Sequence, residues 1–360
     1  MSSVVKQNII NTYCYKCLAV LSSVLEYRND GKAYILKECT KCGNYEYLIE
    51  NDWQFLDKIY NSLKSSDYKN KDTGNDVTGI DVTSRCNLHC RHCYYEPNSN
   101  TIDKPISKII EEVKLVKTKQ VVIVGAEPTM REDLDKVINS ISEQGKNTIL
   151  QTNGLKLSDK NYVDLLKKTK LDYVSISIQY SNYHNPKVYE KVVRGLWNTV
   201  KAGIPISALA WVVSSQQEAY EALNFIIDFE KKYNFYKKHL NLKHELKSTA
   251  YLLYAPIRAG RYVKEEPYIF ISDLYKFFAK ALQAKNIIFN SNVFNGINTP
   301  YEMVINSELE GYLTLIGYCA ASEGLDKNII DNYKLLRPNY YVNENLIDHV
   351  AHSLAVSKNG

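Results

Sequence analysis

Hydrophobic and polar positions along this chain follow a helical period in some stretches and a strand period in others. Residues 53–64 set Trp53, Leu56, Ile59, Tyr60 and Leu63 on one face, the spacing of an amphipathic helix. Before them, a strand-like stretch from Lys32 to Lys37 follows an Asn29-Asp30-Gly31 turn signal. The segment from Lys64 to Val77, rich in Ser, Lys, Asn, Asp and Gly, reads as an exposed linker. From Thr78 onward short apolar runs alternate with helical periods. Strands are predicted at 78–82, 120–125, 147–152, 172–178, 204–213 and 247–255. Helical faces run through Ile106, Ile109, Ile110, Val113 and Val116, then through Leu134, Val137, Ile138 and Ile141; later ones span 187–202 and 216–232.

Strict alternation of this kind means a parallel sheet joined by crossover helices. The run of units lacks a nucleotide fingerprint. That favours an α/β chain with a partial (β/α)6 TIM-like barrel over a doubly wound sheet, and it puts chemistry at the C-terminal ends of the strands. Past Asn290 the pattern blurs into one helix near Leu346 to Leu354, read as a short C-terminal cap. The organisation expected is a metal-knuckle module over 1–50, a helix and linker over 51–77, the barrel over 78–290 and the cap over 291–360.

Composition adds bounds. With 360 residues, 45% of them hydrophobic and 24% charged, the chain can fill a sizeable core. A formal charge of +5 gives no warrant for nucleic acid or an anionic membrane. The stretch from Met1 to Asn8 lacks an apolar signal region. No apolar run approaches the roughly 18 residues of a membrane span. A cytoplasmic protein with reduced thiols is the expectation. The 29 tyrosines need only half-buried positions with wet hydroxyls.

The eight cysteines are too sparse for a disulfide scaffold, so spacing decides their use. Cys14-x2-Cys17 and Cys39-x2-Cys42 form two knuckles with 21 residues between. That is near zinc-ribbon spacing and fits one closed tetrahedral site, for zinc or for a rubredoxin-like iron. Gly43 follows the second knuckle, where the chain must turn tightly. Cys86, Cys90 and Cys93 follow the first predicted barrel strand. Three thiolates cannot pair off as disulfides, but they can serve one metal centre. A four-iron cube wants four ligands, so three would leave one iron open. The alternative is a structural zinc completed by His89 or His92. Cys319 alone reads as a small buried hydrophobe.

Cys-x3-Cys-x2-Cys after a first strand, with His92 before the last Cys, resembles the radical S-adenosylmethionine (radical SAM) superfamily. Further landmarks fall in register. Val124-Gly125-Ala126-Glu127-Pro128-Thr129 resembles the family's Gly-Gly-Glu-Pro segment. Thr152-Asn153-Gly154 ends the third strand, Ser175 and Ser177 lie on the fourth, and Ala202-Gly203-Ile204-Pro205 leads into the fifth. The resemblance implies a 4Fe-4S cluster on Cys86, Cys90 and Cys93, with S-adenosyl-L-methionine chelated at the open iron. It also implies reductive cleavage to a 5′-deoxyadenosyl radical that abstracts hydrogen from an unknown substrate, and an electron donor such as flavodoxin or ferredoxin. His92, Gly125, Ala126, Glu127, Pro128, Asn153, Ser175 and Ser177 would then bind the cofactor, with Glu127 near its amino group.

Each landmark has a plainer reading beside that one. Gly125 and Ala126 let backbone approach a ligand closely, Glu127 could be a solvated turn residue, and Asn153-Gly154 is a turn former. Ser175 and Ser177 share one face of their strand and need polar partners. The chain also departs from the family. Ala126 replaces the second Gly, and Gln179-Tyr180 stands where an Asp is common. His184 and Arg194-Gly195 match recurring positions that a surface role serves equally well.

The knuckle module followed by Glu50-Asn51-Asp52-Trp53, together with Gln179-Tyr180, resembles the radical SAM branch that includes tetraether-lipid-synthase-like enzymes. Its substrate is not implied here, because the chain is shorter and Cys42 stands where that branch often has His. Arg258 and Arg261, at the end of the sixth strand, are the candidate substrate contacts, as a clamp for carboxylate or phosphate or else a solvated turn. The rival classes are a non-enzymatic zinc-binding interaction protein on a barrel scaffold and a peptide-maturation radical enzyme.

Overall fold

The computed structural model describes residues 2–14, 19–58, 77–93, 97, 101–116, 118–178, 185–256, 269–289, 302–305 and 307–316. At the N-terminus, β1 (Val4–Tyr13), β2 (Val20–Arg28), β3 (Ala33–Cys39) and β4 (Gly43–Glu50) form an antiparallel sheet in that order. Only part of β3 was expected. The β2–β3 connection is the anticipated turn: Gly31 has φ +83° and its N–H donates to the Arg28 carbonyl. Gly43, at φ +98°, starts β4 directly after the second knuckle, a conformation that favours glycine. Residues 53–58 then form a helix, α1.

The second sheet begins with β5 (Val77–Asp81). It continues through α2 (Ile106–Leu115), β6 (Gln120–Val124), α3 (Leu134–Ser142), β7 (Asn147–Thr152), α4 (Lys160–Lys167), β8 (Tyr173–Ser177), α5 (Pro186–Ala202), β9 (Ile206–Val212), α6 (Gln216–Leu240), β10 (Ala250–Tyr254) and α7 (Ile271–Ala284). Strands β5 to β10 are parallel, and each lies beside its predecessor in the chain. The order never reverses, which excludes a doubly wound sheet. All six strand predictions fall within a few residues of these bounds.

The sheet does not stop at β10. Residues assigned to the cap supply β12 (Tyr312–Ile316), parallel to β10, and β11 (Glu302–Ile305), antiparallel to β12 at the edge. The eight-stranded order is β11-β12-β10-β9-β8-β7-β6-β5. The helix predicted near Leu346 lies outside the described residues, as does the linker.

Alternate residues of the strands pack on the helices. Ile80, Ile123, Leu150, Ile176, Leu209 and Leu253 share one core with Val113, Ile138, Leu196, Ile226, Leu274 and Phe278. Strand period then turns Ser175, Ser177, Ala208 and Ala210 to the opposite face, where Ser175 stands between Gln151 and Ala208 in register and Ser177 beside Ala210. The N-terminal module docks on α7. The buried Glu50 carboxylate accepts from the Ser272 hydroxyl and backbone N–H, Asp52 pairs with Lys276, and Phe55 packs on Tyr275. Trp53 stacks on Tyr27 within the module.

Candidate active site

The loop after β5 carries Cys86, Cys90 and Cys93, all partly exposed. Its entry is zipped to the segment after β6: the N–H groups of Val82, Ala126 and Glu127 donate to the carbonyls of Val124, Thr83 and Arg85. Between them, Gly125 adopts φ +143°, and a Cβ there would stand 2.4 Å from the Thr83 carbonyl oxygen. The close backbone approach at Gly125, expected toward a ligand, is made instead to the segment that leads into the cysteine loop.

The neck of the same loop is tied across its two ends. Arg131, 3% exposed, donates to the carbonyls of Val82 and Lys104 at 2.8 Å each and pairs with Asp133. Arg85 pairs with Asp103, which also accepts from the Thr83 hydroxyl at 2.5 Å. Burial alone would raise the Asp103 pKa, but the bonds from Arg85 and Thr83 outweigh it and hold the carboxyl below its ordinary value. These clamps were not singled out in the sequence. Their signal, Arg and Asp flanking the loop on both sides, is too common to stand alone.

Glu127 is not a solvated turn residue; it is 1% exposed. Its Oε1 accepts from the Thr129 N–H (3.1 Å), the Thr129 hydroxyl (2.6 Å) and the Thr152 hydroxyl (2.7 Å), and its Oε2 from the Asn153 N–H (2.7 Å). Glu-Pro-Thr forms a capped turn, with Glu127 as N-cap and Pro128 at the first position of a short 3-10 helix, the preferred place for proline. The carboxylate thus braces the ends of β6 and β7 together, and Oε2 keeps room for a second donor. Burial pushes its pKa up against these bonds.

Asn153 reaches the cysteine loop. Its Nδ2 donates to Asn87 Oδ1 at 2.8 Å and lies 3.9 Å from Cys86 Sγ, while its Oδ1 accepts the Leu155 N–H. It is a turn former and a contact to the loop at once. Gly154, at φ +75°, faces Ile176 and Val192, and a Cβ on Gly195 would stand 2.5 Å from the Gly154 carbonyl. Gly195 therefore serves packing of α5 beneath the site. Ser175 is buried and Ser177 partly so, on the face away from the helices. His92 is half-buried in the turn between Cys90 and Cys93. Arg258, Arg261, Gln179, Tyr180, His184, Cys17 and Cys319 lie outside the described residues.

Two cysteine groups differ in spacing. Cys14, Cys39 and Cys42 bring their sulfurs within 4.8 Å of one another, as ligands of a single ion must lie. Cys86, Cys90 and Cys93 form no group that tight among the described residues. A wider spread suits thiolates that bind separate irons of one cube.

Residues 80–225 match the family model of the Radical SAM superfamily. Curated relatives include the Fe-coproporphyrin III synthase of Methanosarcina barkeri, 29% identical over 146 residues, covering 38% of this chain and 36% of that protein. The 7,8-dihydro-6-hydroxymethylpterin dimethyltransferase of Methanocaldococcus jannaschii is 28% identical over 190 residues, covering 45% and 37%. A probable GTP 3',8-cyclase of Methanococcus maripaludis is 34% identical over 132 residues, covering 35% and 43%. Residues 80–225 of this chain therefore carry a Radical SAM domain, and the relatives named are enzymes. The chain spans less than half the length of each of these relatives. Among solved structures, Streptococcus suis SuiB bound to precursor peptide SuiA aligns with a TM-score of 0.44 and 13% identity, over 77% of this chain and 71% of that one. That likeness is too distant to carry an argument. Among the described residues no helix is long and apolar enough to cross a membrane.

Proposed function

We propose that this chain is a radical SAM enzyme whose 4Fe-4S cluster rests on Cys86, Cys90 and Cys93 and whose open iron takes S-adenosyl-L-methionine. A cluster held there, once reduced, would supply one electron to the cofactor's sulfonium, breaking its S–C5′ bond to leave methionine and a 5′-deoxyadenosyl radical for hydrogen abstraction from a substrate. The observation that carries this reading is the loop itself: three thiols on one loop, held at a tied neck beside the buried Glu127.

The chain's own residues position and exclude water. Glu127 fixes the strand ends and would accept from the cofactor's ammonium, and Gly125, Ala126, Pro128 and Asn153 would help to hold that cofactor. Ser175 and Ser177, with Ala208 and Ala210, give a face of small side chains that leaves volume for cofactor and substrate. Arg258 and Arg261 are the substrate contacts on this reading, and flavodoxin or ferredoxin supplies the electron. The sequential parallel strand order supports a partial barrel. Cys14, Cys39 and Cys42, with Cys17 as fourth ligand, hold zinc or a rubredoxin-like iron in a closed site.

Anaerobic reconstitution with iron and sulfide tests the assignment. The wild-type protein is expected to turn brown with about four added irons per chain. Changing Cys86, Cys90 and Cys93 to Ala abolishes the colour, whereas Cys39→Ala leaves it. Colour that survives the triple change overturns the reading.

A further inference from the structure

We propose that Asn153 is a positioning residue for the iron–sulfur centre, donating a hydrogen bond to the Cys86 sulfur. This rests on the assignment of the cluster to Cys86, Cys90 and Cys93. Three contacts converge on the one side chain. Its Nδ2 is 2.8 Å from Asn87 Oδ1 and 3.9 Å from Cys86 Sγ, and its Oδ1 accepts the Leu155 N–H at 3.0 Å. An amide nitrogen carries two hydrogens, so both loop contacts are made together. The backbone N–H of Asn153 is tied to Glu127 Oε2, and Glu127 is buried and braced by Thr129 and Thr152. The amide is thus aimed from a rigid strand end rather than from a free loop.

Cys86 Sγ also accepts the Leu88 N–H at 3.4 Å. Two donors on one ligand sulfur draw negative charge away from it. Hydrogen bonds to cluster sulfurs favour the reduced, more negative state and raise the reduction potential. Asn153 therefore eases entry of the electron that the chemistry consumes. It does so through Cys86, without itself touching the reacting atoms.

The test is the midpoint potential of the reconstituted cluster, measured without S-adenosylmethionine so that cofactor contacts play no part. Asn153→Asp keeps the acceptor for Leu155 but loses the donor and adds a negative charge. Asn153→Ala loses donor and acceptor without adding charge. Both variants are expected to load iron as the wild type does and to shift the midpoint to more negative values, Asn153→Asp further than Asn153→Ala. Variants that load fully at the wild-type potential overturn the proposal while leaving the cluster assignment intact. Variants that no longer load also overturn it, since Asn153 would then serve folding of the loop alone. A wild-type protein that binds no four-iron cluster defeats the assignment and the proposal together.

Discussion

Gly125 and Glu127 sit two residues apart and solve different problems. Gly125 takes a left-handed conformation because the strand end after β6 must lie against the Thr83 carbonyl. Glu127 collects donors from two strand ends into one buried carboxylate. Gly125→Ala is expected to destabilise the protein by at least about 2 kcal/mol, from backbone strain with a steric clash added, as measured by urea unfolding. An unchanged midpoint would show that the segment relaxes freely. The chemistry-bearing residues were legible in the sequence because their types and spacing are unusual. What they touch was not legible. Glycine at a strand end announces a close approach, but only the register of β5 beside β6 shows that the neighbour is Thr83. Asn153 is the same case. Its turn role is local and readable, whereas its contact with Asn87 spans 66 positions.

At the scale of elements, the cysteine loop is held by side chains outside it. Arg131 bridges the carbonyls at both ends of the neck, and Arg85 with Asp103 adds an ion pair. Arg131→Met keeps the apolar stem but leaves buried carbonyls unpaired, at roughly 1–3 kcal/mol each. The variant should lose cluster iron to a chelator several-fold faster than the wild type, and equal rates would show that the neck does not need this clamp. The docking of β4 on α7 makes a second prediction. Burial pushes the Glu50 pKa up to about 7, against hydrogen bonds from Ser272, Asn51 and Asp52. A carboxyl raised in the folded state contributes stability that is present below its ordinary value of 4.5 and lost as pH rises through about 7. The full change is about 3 kcal/mol. Urea unfolding of the wild type should weaken between pH 5 and pH 8 more steeply than that of Glu50→Gln, in which this carboxyl cannot ionise. Parallel slopes would contradict the assignment.

The alternating pattern of the second sheet could be read because strands β5 to β10 each bury one face on helices. The helix α7 carried a readable spacing in Ile271, Leu274, Phe278 and Leu282, yet it follows a segment with weak periodicity. The edge strand β1 hid for another reason. Val5 and Ile9 are exposed, so apolar and polar positions do not sort by face. β11 and β12 are short, and neither predicts itself without a neighbour to pair with.

Over the whole molecule, seven of the eight cysteines fall into two groups of opposite design, and Cys319 stands apart from both. Cys14, Cys39 and Cys42 draw together in a small sheet, and on the proposed assignment of a metal there, chelation should unfold that sheet before the larger one. Cys86, Cys90 and Cys93 lie on the loop after β5 of a parallel sheet whose face away from the helices carries Ser175, Ser177, Ala208 and Ala210. On the proposed assignment, the chain runs radical chemistry from that loop. The direct measurement is 5′-deoxyadenosine formed by the anaerobically reconstituted protein given S-adenosylmethionine and a strong one-electron reductant. The account predicts product from the wild type and none from the Cys86, Cys90 and Cys93 to Ala variant. No product from a fully loaded wild-type protein would contradict it.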